Sequence, residues 1–240
     1  MRELQKWLKD KLAPAIVNLI YPSKCPVCGK DSNRFLHSPI CIDCWNGMSS
    51  YEGNSCRSCA TPLPAPQAGS CGECLKERPV FSKVISFGIY KGTLKEAIGL
   101  FKFSGIRRLS KPLGGLLSGL NIPKADCIIP VPLEIHGLKE RGFNQSLLIA
   151  KELSQALKIP LFQDVLYKKR RTLPQIGLSA SERAVNLKDA FGVKRRLDDK
   201  EVLLVDDVMT TGATVKECSK ELIKAGGSRV TVVVLARAEM

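Results

Sequence analysis

The sequence predicts an α/β fold, a mainly parallel sheet flanked by helices, preceded by a small zinc module in which four cysteines hold each ion. Two observations carry this. Eight of the ten cysteines stand in four CxxC pairs before residue 75. From Val80 onward, β-branched runs alternate with stretches of helical apolar spacing, the pattern of strand–helix units that build parallel sheets. The texture changes around Pro79. The expected units are therefore an amphipathic helix over 1–22, a double zinc-ribbon module over 23–78 and an α/β domain over 79–240.

In the first segment Leu4, Trp7, Leu8, Leu12, Ala15, Ile16, Leu19 and Ile20 recur at helical spacing. A helix half-buried on its own protein is the simple expectation, and a helix for a partner or a membrane surface is the sharper one. Charges run through the segment, so it lacks the continuous apolar core of a secretory signal. No stretch of the chain approaches the roughly 18 apolar residues of a membrane span. The chain thus reads as cytoplasmic, with no transmembrane segment.

Ten cysteines in a cytoplasmic setting argue for metal before disulfides. The pairs are Cys25/Cys28, Cys41/Cys44, Cys56/Cys59 and Cys71/Cys74, separated by 12, 11 and 11 residues. Each CxxC turn can present two sulfurs to one tetrahedral ion. Four thiolates close the coordination sphere, so the two expected zinc ions are structural. The module is rich in Gly, Pro and Ser and poor in apolar runs, and it needs such staples in place of a core. Pairing the first CxxC with the second and the third with the fourth gives two sequential ribbons, and the even gaps leave a crossed arrangement open. Cys127 and Cys218 stand apart in apolar surroundings and are expected to be small core residues.

In the α/β domain the expected strands are 84–90, 126–131, 202–205 and 229–236, and the expected helices are 94–103, 144–157 and 214–225. Gly226 and Gly227 suit a helix C-cap, and Ser179 with Glu182 has capping-box spacing. The polar, basic stretch 168–190 shows little periodicity and reads as a long mobile loop of the kind that forms lids. The chain carries a net charge of +14. The first 80 residues hold 10 basic and 7 acidic side chains, and two zinc ions on eight thiolates would bring that part to about −1. The remaining 160 residues hold 27 basic against 16 acidic, a net of +11 that suits phosphate or nucleic acid.

The most informative string is VLLVDDVMTTGAT over 202–214. A buried strand runs into Asp206 and Asp207, then into a hydroxyl-rich loop, then into a helix. Met209, Thr210, Thr211, Gly212, Ala213 and Thr214 form that loop and helix start, where backbone amides and hydroxyls favour a phosphate. Ionised carboxylates only accept hydrogen bonds, which suits ribose hydroxyls or Mg²⁺. The GxxxxGK[ST] string of P-loop proteins does not occur.

This string resembles the PRPP motif of type I phosphoribosyltransferases. The resemblance implies that Asp206 and Asp207 take the ribose, with Mg²⁺ accompanying PRPP, and that residues 209–214 hold the 5-phosphate. It also places a pyrophosphate loop at Val131, Pro132, Lys139 and Arg141, and a flexible hood carrying Arg170, Arg171 and Arg183. The whole assembly is similar to the ComF family. The features are LIYPSKCPVCG at 19–29, the cysteine pairs, Tyr90-Lys91-Gly92, Leu100-Phe101-Lys102-Phe103, the PVP…RGFNQ run, Gln175 with Leu178-Ser179, Glu182-Arg183 and Asn186, and VDDVMTTGAT. That resemblance implies a phosphoribosyltransferase-like fold, a role in natural transformation and DNA uptake, contact with single-stranded DNA and a competence helicase-type partner.

Three functional readings follow. The first is an active phosphoribosyltransferase that releases pyrophosphate to an acceptor, with catalytic residues and acceptor unassigned. The second is a DNA-handling protein with a phosphoribosyl pocket. The third is a PRPP-sensing scaffold. Aromatic content is only 6%, so stacking platforms for single strands are sparse, and Phe101, Phe103 and Phe143 are expected in the core.

Overall fold

The computed structural model describes residues 24–32, 37–65, 69–133, 137–138, 141–172 and 179–239. The helix expected over 1–22 and the candidate Lys139 lie outside them. The described elements run α1 (Ile42–Asn46), α2 (Gly72–Lys76), β1 (Lys83–Ile89), α3 (Gly92–Lys102), a 3-10 turn (Arg107–Leu109), α4 (Ser110–Ser118), β2 (Cys127–Pro130), α5 (Gln145–Leu157), β3 (Leu166–Lys168), α6 (Ala180–Leu187), β4 (Phe191–Val193), β5 (Glu201–Met209), α7 (Ala213–Lys224) and β6 (Arg229–Arg237).

Four strands form one sheet in the order β1-β6-β5-β2, and every pairing is parallel. Parallel strands are covered on both faces, which explains the unbroken apolar runs in β5 and β6. The pleat sends alternate residues to opposite layers. Val202 and Leu204 join Val230, Val232, Val234 and the inner face of α7. Leu203 and Val205 join Val233, Leu235 and the apolar faces of α3, α4 and α5. Cys127 and Cys218 are both fully buried, as expected. Burial pushes the Cys127 thiol up to about 11 and the Cys218 thiol well above its ordinary value, so neither is a nucleophile at neutral pH.

Local sequence explains the helix limits. The Asn144 side chain accepts from the Leu147 N–H at 3.4 Å, starting α5, and donates to the Val131 carbonyl at 3.0 Å. Ser179 and Glu182 form both bonds of the capping box that starts α6. Gly226 takes a φ of +94° just beyond α7. Helix α4 rests closely on α5 at Gly114, where a Cβ atom would fall 2.5 Å from the Cβ of Glu152.

Residues 173–178 of the stretch 168–190 lie outside the described residues, and the described part is more regular than its sequence implied. It is bracketed by β3 and β4, which pair antiparallel with Leu166 opposite Val193, and it contains α6. Strands of three residues are too short to carry a readable alternation.

The cysteine module lies along the edge of the sheet. Cys25, Cys41 and Trp45 pack into the layer of α3, α4 and α5, while Cys56, Cys59 and Cys71 pack into the layer of α7. Between them, the Tyr51 N–H donates to the Phe87 carbonyl and the Val84 N–H to the Ser58 carbonyl, both at 2.8 Å. Edge strand β1 is thereby supplied with partners on its open side, which blunts it against pairing with another chain.

Candidate functional site

The eight paired cysteines converge in two groups. Cys25, Cys28, Cys41 and Cys44 form one, and Cys56, Cys59, Cys71 and Cys74 the other, with all sulfurs of a group within 4.8 Å of one another. The arrangement is sequential, and the crossed alternative is excluded. Two sulfur pairs, Cys28–Cys41 and Cys59–Cys71, stand at 3.5 Å. The donor chemistry fits zinc. Burial opposes ionisation of Cys25 and Cys56, but backbone N–H groups of the turns donate to both sulfurs and pull each down to about 6. Four such ligands fill a tetrahedral ion and leave no open position, so these are structural zinc-ribbon sites. Replacing Cys28 with serine is expected to lower bound zinc from two ions per chain to one and to destabilise the first ribbon. Metal analysis of the purified variant checks this, and an undiminished zinc content would refute the ligand set.

The second centre lies at the carboxyl ends of the parallel strands, where open α/β sheets bind ligands. Strand β5 continues past Val205 and carries Asp206 and Asp207 within it. The pleat separates the pair. Asp207 is 5% exposed and meets the Lys102 ammonium at 3.0 Å, across from the end of α3. Asp206 accepts from the Ser146 hydroxyl at 2.8 Å, at the start of α5. Burial first, and the neighbouring Asp207 charge second, push the Asp206 carboxyl up to about 7. Burial works against the Lys102 charge, yet Asp207 and Asp206 outweigh it and hold the ammonium protonated above the usual lysine range. Sequence reasoning quoted Lys102 only within a family run and gave it no role, and it did not select Ser146; the two lie 105 and 60 residues from their partners.

Beyond the acids the chain turns through Thr210 and Thr211 into α7. Gly212 stands at the helix N-cap with a φ of +82°, and a Cβ there would come within 2.5 Å of the Met209 methyl group. Met209 and Ala213 are buried and hold the loop down, while Thr210 and Thr214 are only partly covered. The Thr211 hydroxyl accepts from the Ala213 N–H at 3.4 Å. Among the hood candidates, Arg183 reaches this loop and donates to the Thr210 hydroxyl at 3.1 Å. Arg170 turns instead to the carbonyls of Asn186 and Lys188 at the end of α6, and Arg171 is exposed.

The RGFNQ run forms the opposite rim. Val131 is buried, its N–H donating to the Val205 carbonyl at 2.9 Å, and Pro132 follows half-buried. Arg141 places its guanidinium 5.4 Å from the centre of the Phe103 ring and donates to Gln145 at 3.5 Å. Gln145 in turn donates to the Lys102 carbonyl at 3.4 Å. Phe101 and Phe143 are buried together with ring centres 5.4 Å apart. Phe103, expected in the core, is 63% exposed, because the helix ends there and its last turn points Phe101 inward and Phe103 out.

One residue joins the two centres. Arg237, at the end of β6, is 1% exposed. It donates to the Cys59 carbonyl at 3.1 Å and the Thr61 hydroxyl at 2.8 Å in the second ribbon. The same guanidinium donates to the Met209 carbonyl at 3.0 Å, to the Thr210 carbonyl and to the Ala238 carbonyl. A side chain one position beyond the strand expected over 229–236 is the strut between a zinc site and the loop.

Family models match both parts of the chain. A double zinc ribbon domain matches residues 16–75, and a phosphoribosyl transferase domain matches residues 144–239. DNA utilization protein YhgH of Escherichia coli strain K12 is 32% identical over 211 residues, 84% of this chain and 91% of that protein. Glutamine phosphoribosylpyrophosphate amidotransferase from B. subtilis is similar in structure over 52% of this chain and 25% of its own, with a TM-score of 0.37 and 24% identity. Competence protein F of Haemophilus influenzae is 36% identical over 212 residues, 83% of this chain and 90% of that protein. With the ribbons, the parallel sheet and the acid-and-threonine loop in one chain, and such identity along most of a competence protein, the chain belongs to the ComF family.

Proposed function

We propose that this is a cytoplasmic protein of DNA uptake that binds Mg·PRPP at Asp206, Asp207 and residues 210–214, and that also binds single-stranded DNA. The observation that carries the reading is the meeting of the two acids with a hydroxyl-rich loop and the start of α7 at the carboxyl end of the parallel sheet. The carboxylates offer acceptors for the ribose hydroxyls, and the loop offers amide and hydroxyl donors for the 5-phosphate. Two carboxylates supply fewer oxygens than a dedicated magnesium site needs, so the ion fits here as one carried in by the ligand's own pyrophosphate. Val131, Pro132 and Arg141 border the position for that pyrophosphate, and a guanidinium suits it chemically. Lys139 belongs to the same proposal from sequence alone. The names of the relatives and the +11 charge of residues 81–240 support the DNA role.

Calorimetric titration of zinc-loaded protein with PRPP, with and without Mg²⁺, tests the pocket. Magnesium-dependent binding is expected. Asp206 is protonated below about 7, and the proposed site needs its anion. Affinity should therefore rise as the pH passes from about 6 to about 8, and Asp206→Asn should flatten that rise. An absence of binding by folded protein would refute the pocket.

A further inference from the structure

We infer that Phe103 is a stacking platform for an unpaired base of a single-stranded nucleic acid, set at the mouth of the Asp206/Asp207 site; this rests on the single-stranded DNA reading above. A lone apolar residue at a surface is ordinary. Phe103 differs in what surrounds it. Arg141 is held 5.4 Å from its ring centre and Lys102 6.0 Å, and neighbouring Arg107 lies 5.0 Å from the Phe143 ring while donating to the Gly142 carbonyl at 2.8 Å. An aromatic ring is thus left 63% exposed inside a cluster of cations at the rim of a ligand site.

The backbone fixes this presentation. The Phe103 N–H donates to the Gly99 carbonyl at 2.8 Å, closing α3, and buried Phe101 anchors the last turn from below. The ring therefore stands on a rigid element. Non-specific single-strand binders combine such a ring, which accepts any base on its π-face, with cations that track the backbone. A free neutral base would use the ring and leave the flanking charges idle. A base within a strand brings a phosphate on either side to Arg141 and Arg107, so the charge complementarity points to a strand.

The test compares a labelled oligothymidylate with an abasic oligonucleotide of the same length, which keeps the phosphates and lacks the bases. Fluorescence anisotropy at fixed salt is measured for the zinc-loaded full chain and for Phe103→Ala and Phe103→Tyr. The expected result is a loss of about tenfold in affinity for oligothymidylate in Phe103→Ala. Phe103→Tyr should keep the affinity, and the abasic strand should bind both variants like the parent. Unchanged oligothymidylate binding by Phe103→Ala, or an equal loss for both oligonucleotides, would overturn the platform while leaving DNA binding in place. Free thymidine competing as well as the oligonucleotide would overturn the assignment to a strand. If the parent protein binds neither oligonucleotide, the DNA reading itself fails.

Discussion

Substituting Arg237 with methionine is expected to lower stability by about 3–5 kcal/mol, with an apparent Tm lower by about 10 °C. The methionine stem fills much of the same space, so packing is nearly kept and the loss measures the guanidinium. Arg237 serves acceptors on two sides, the Cys59 carbonyl and Thr61 hydroxyl in the ribbon and the Met209 and Thr210 carbonyls at the loop. Removing it strands several buried acceptors at once, and each unsatisfied group costs about 1–3 kcal/mol before the structure relaxes. Arg237→Lys should rescue little. One ammonium lacks the planar fork needed to reach both sides. A thermal melt followed in parallel with zinc content would also show whether the second ribbon loosens first. A change of Tm within about 1 °C in Arg237→Met would mean that the strut carries no load.

Asp206→Asn combined with Asp207→Asn is expected to lower Mg·PRPP affinity by about 100-fold or more, while the protein stays folded. Hydrogen bonds to charged acceptors contribute about 1.5–3 kcal/mol each, and two are weakened together. The single variants should divide in stability. Asp206 has its pKa raised by burial and by Asp207. A raised carboxyl pKa makes the folded state bind more protons than the unfolded one, so stability falls as pH climbs from about 4 towards 7. Asn at 206 removes that cost and should leave stability at neutral pH equal or higher. Asp207 holds Lys102 at 3.0 Å, and Asn at 207 leaves a largely buried ammonium with one carboxylate fewer, which should destabilise. Equal affinity of parent and double variant would sink the assignment of the ribose to these acids.

The parts of this protein legible in its sequence are those encoded by neighbours. The CxxC turns, the β5–loop–α7 string and the capping box at Ser179 each depend on residues within a few positions; the first and last are found as read, and the string is found with its strand carried past Val205 to Met209 and its helix starting at Ala213. What escaped depends on residues far apart. Lys102 and Arg237 meet their partners only after the sheet has assembled, the latter 176 and 178 residues from Thr61 and Cys59. Helix α4 was missed because SKPLGGLLS joins a proline and two glycines, a composition that reads as a loop until α5 covers it. The exposure of Phe103 against the burial of Phe101 turns on where α3 stops, and a helix end that stops at Phe103 with no glycine beside it is poorly marked in sequence.

The order β1-β6-β5-β2 sets an order of events in synthesis. Strand β6 lies inside the sheet, yet its residues are made after β1, β2 and β5. Its partner β1 precedes it by nearly 150 residues, with Lys83 opposite Thr231. Until residues 229–237 leave the ribosome, β1 and β5 have no common neighbour, and their facing hydrogen-bonding edges wait unpaired. The ribbons need only local turns and metal, so they can close first and hold the β1 edge during that interval. Nascent chains halted before residue 229 should therefore carry folded ribbons followed by an unfinished, aggregation-prone sheet, and a cell short of zinc should lose this protein during its synthesis rather than after it.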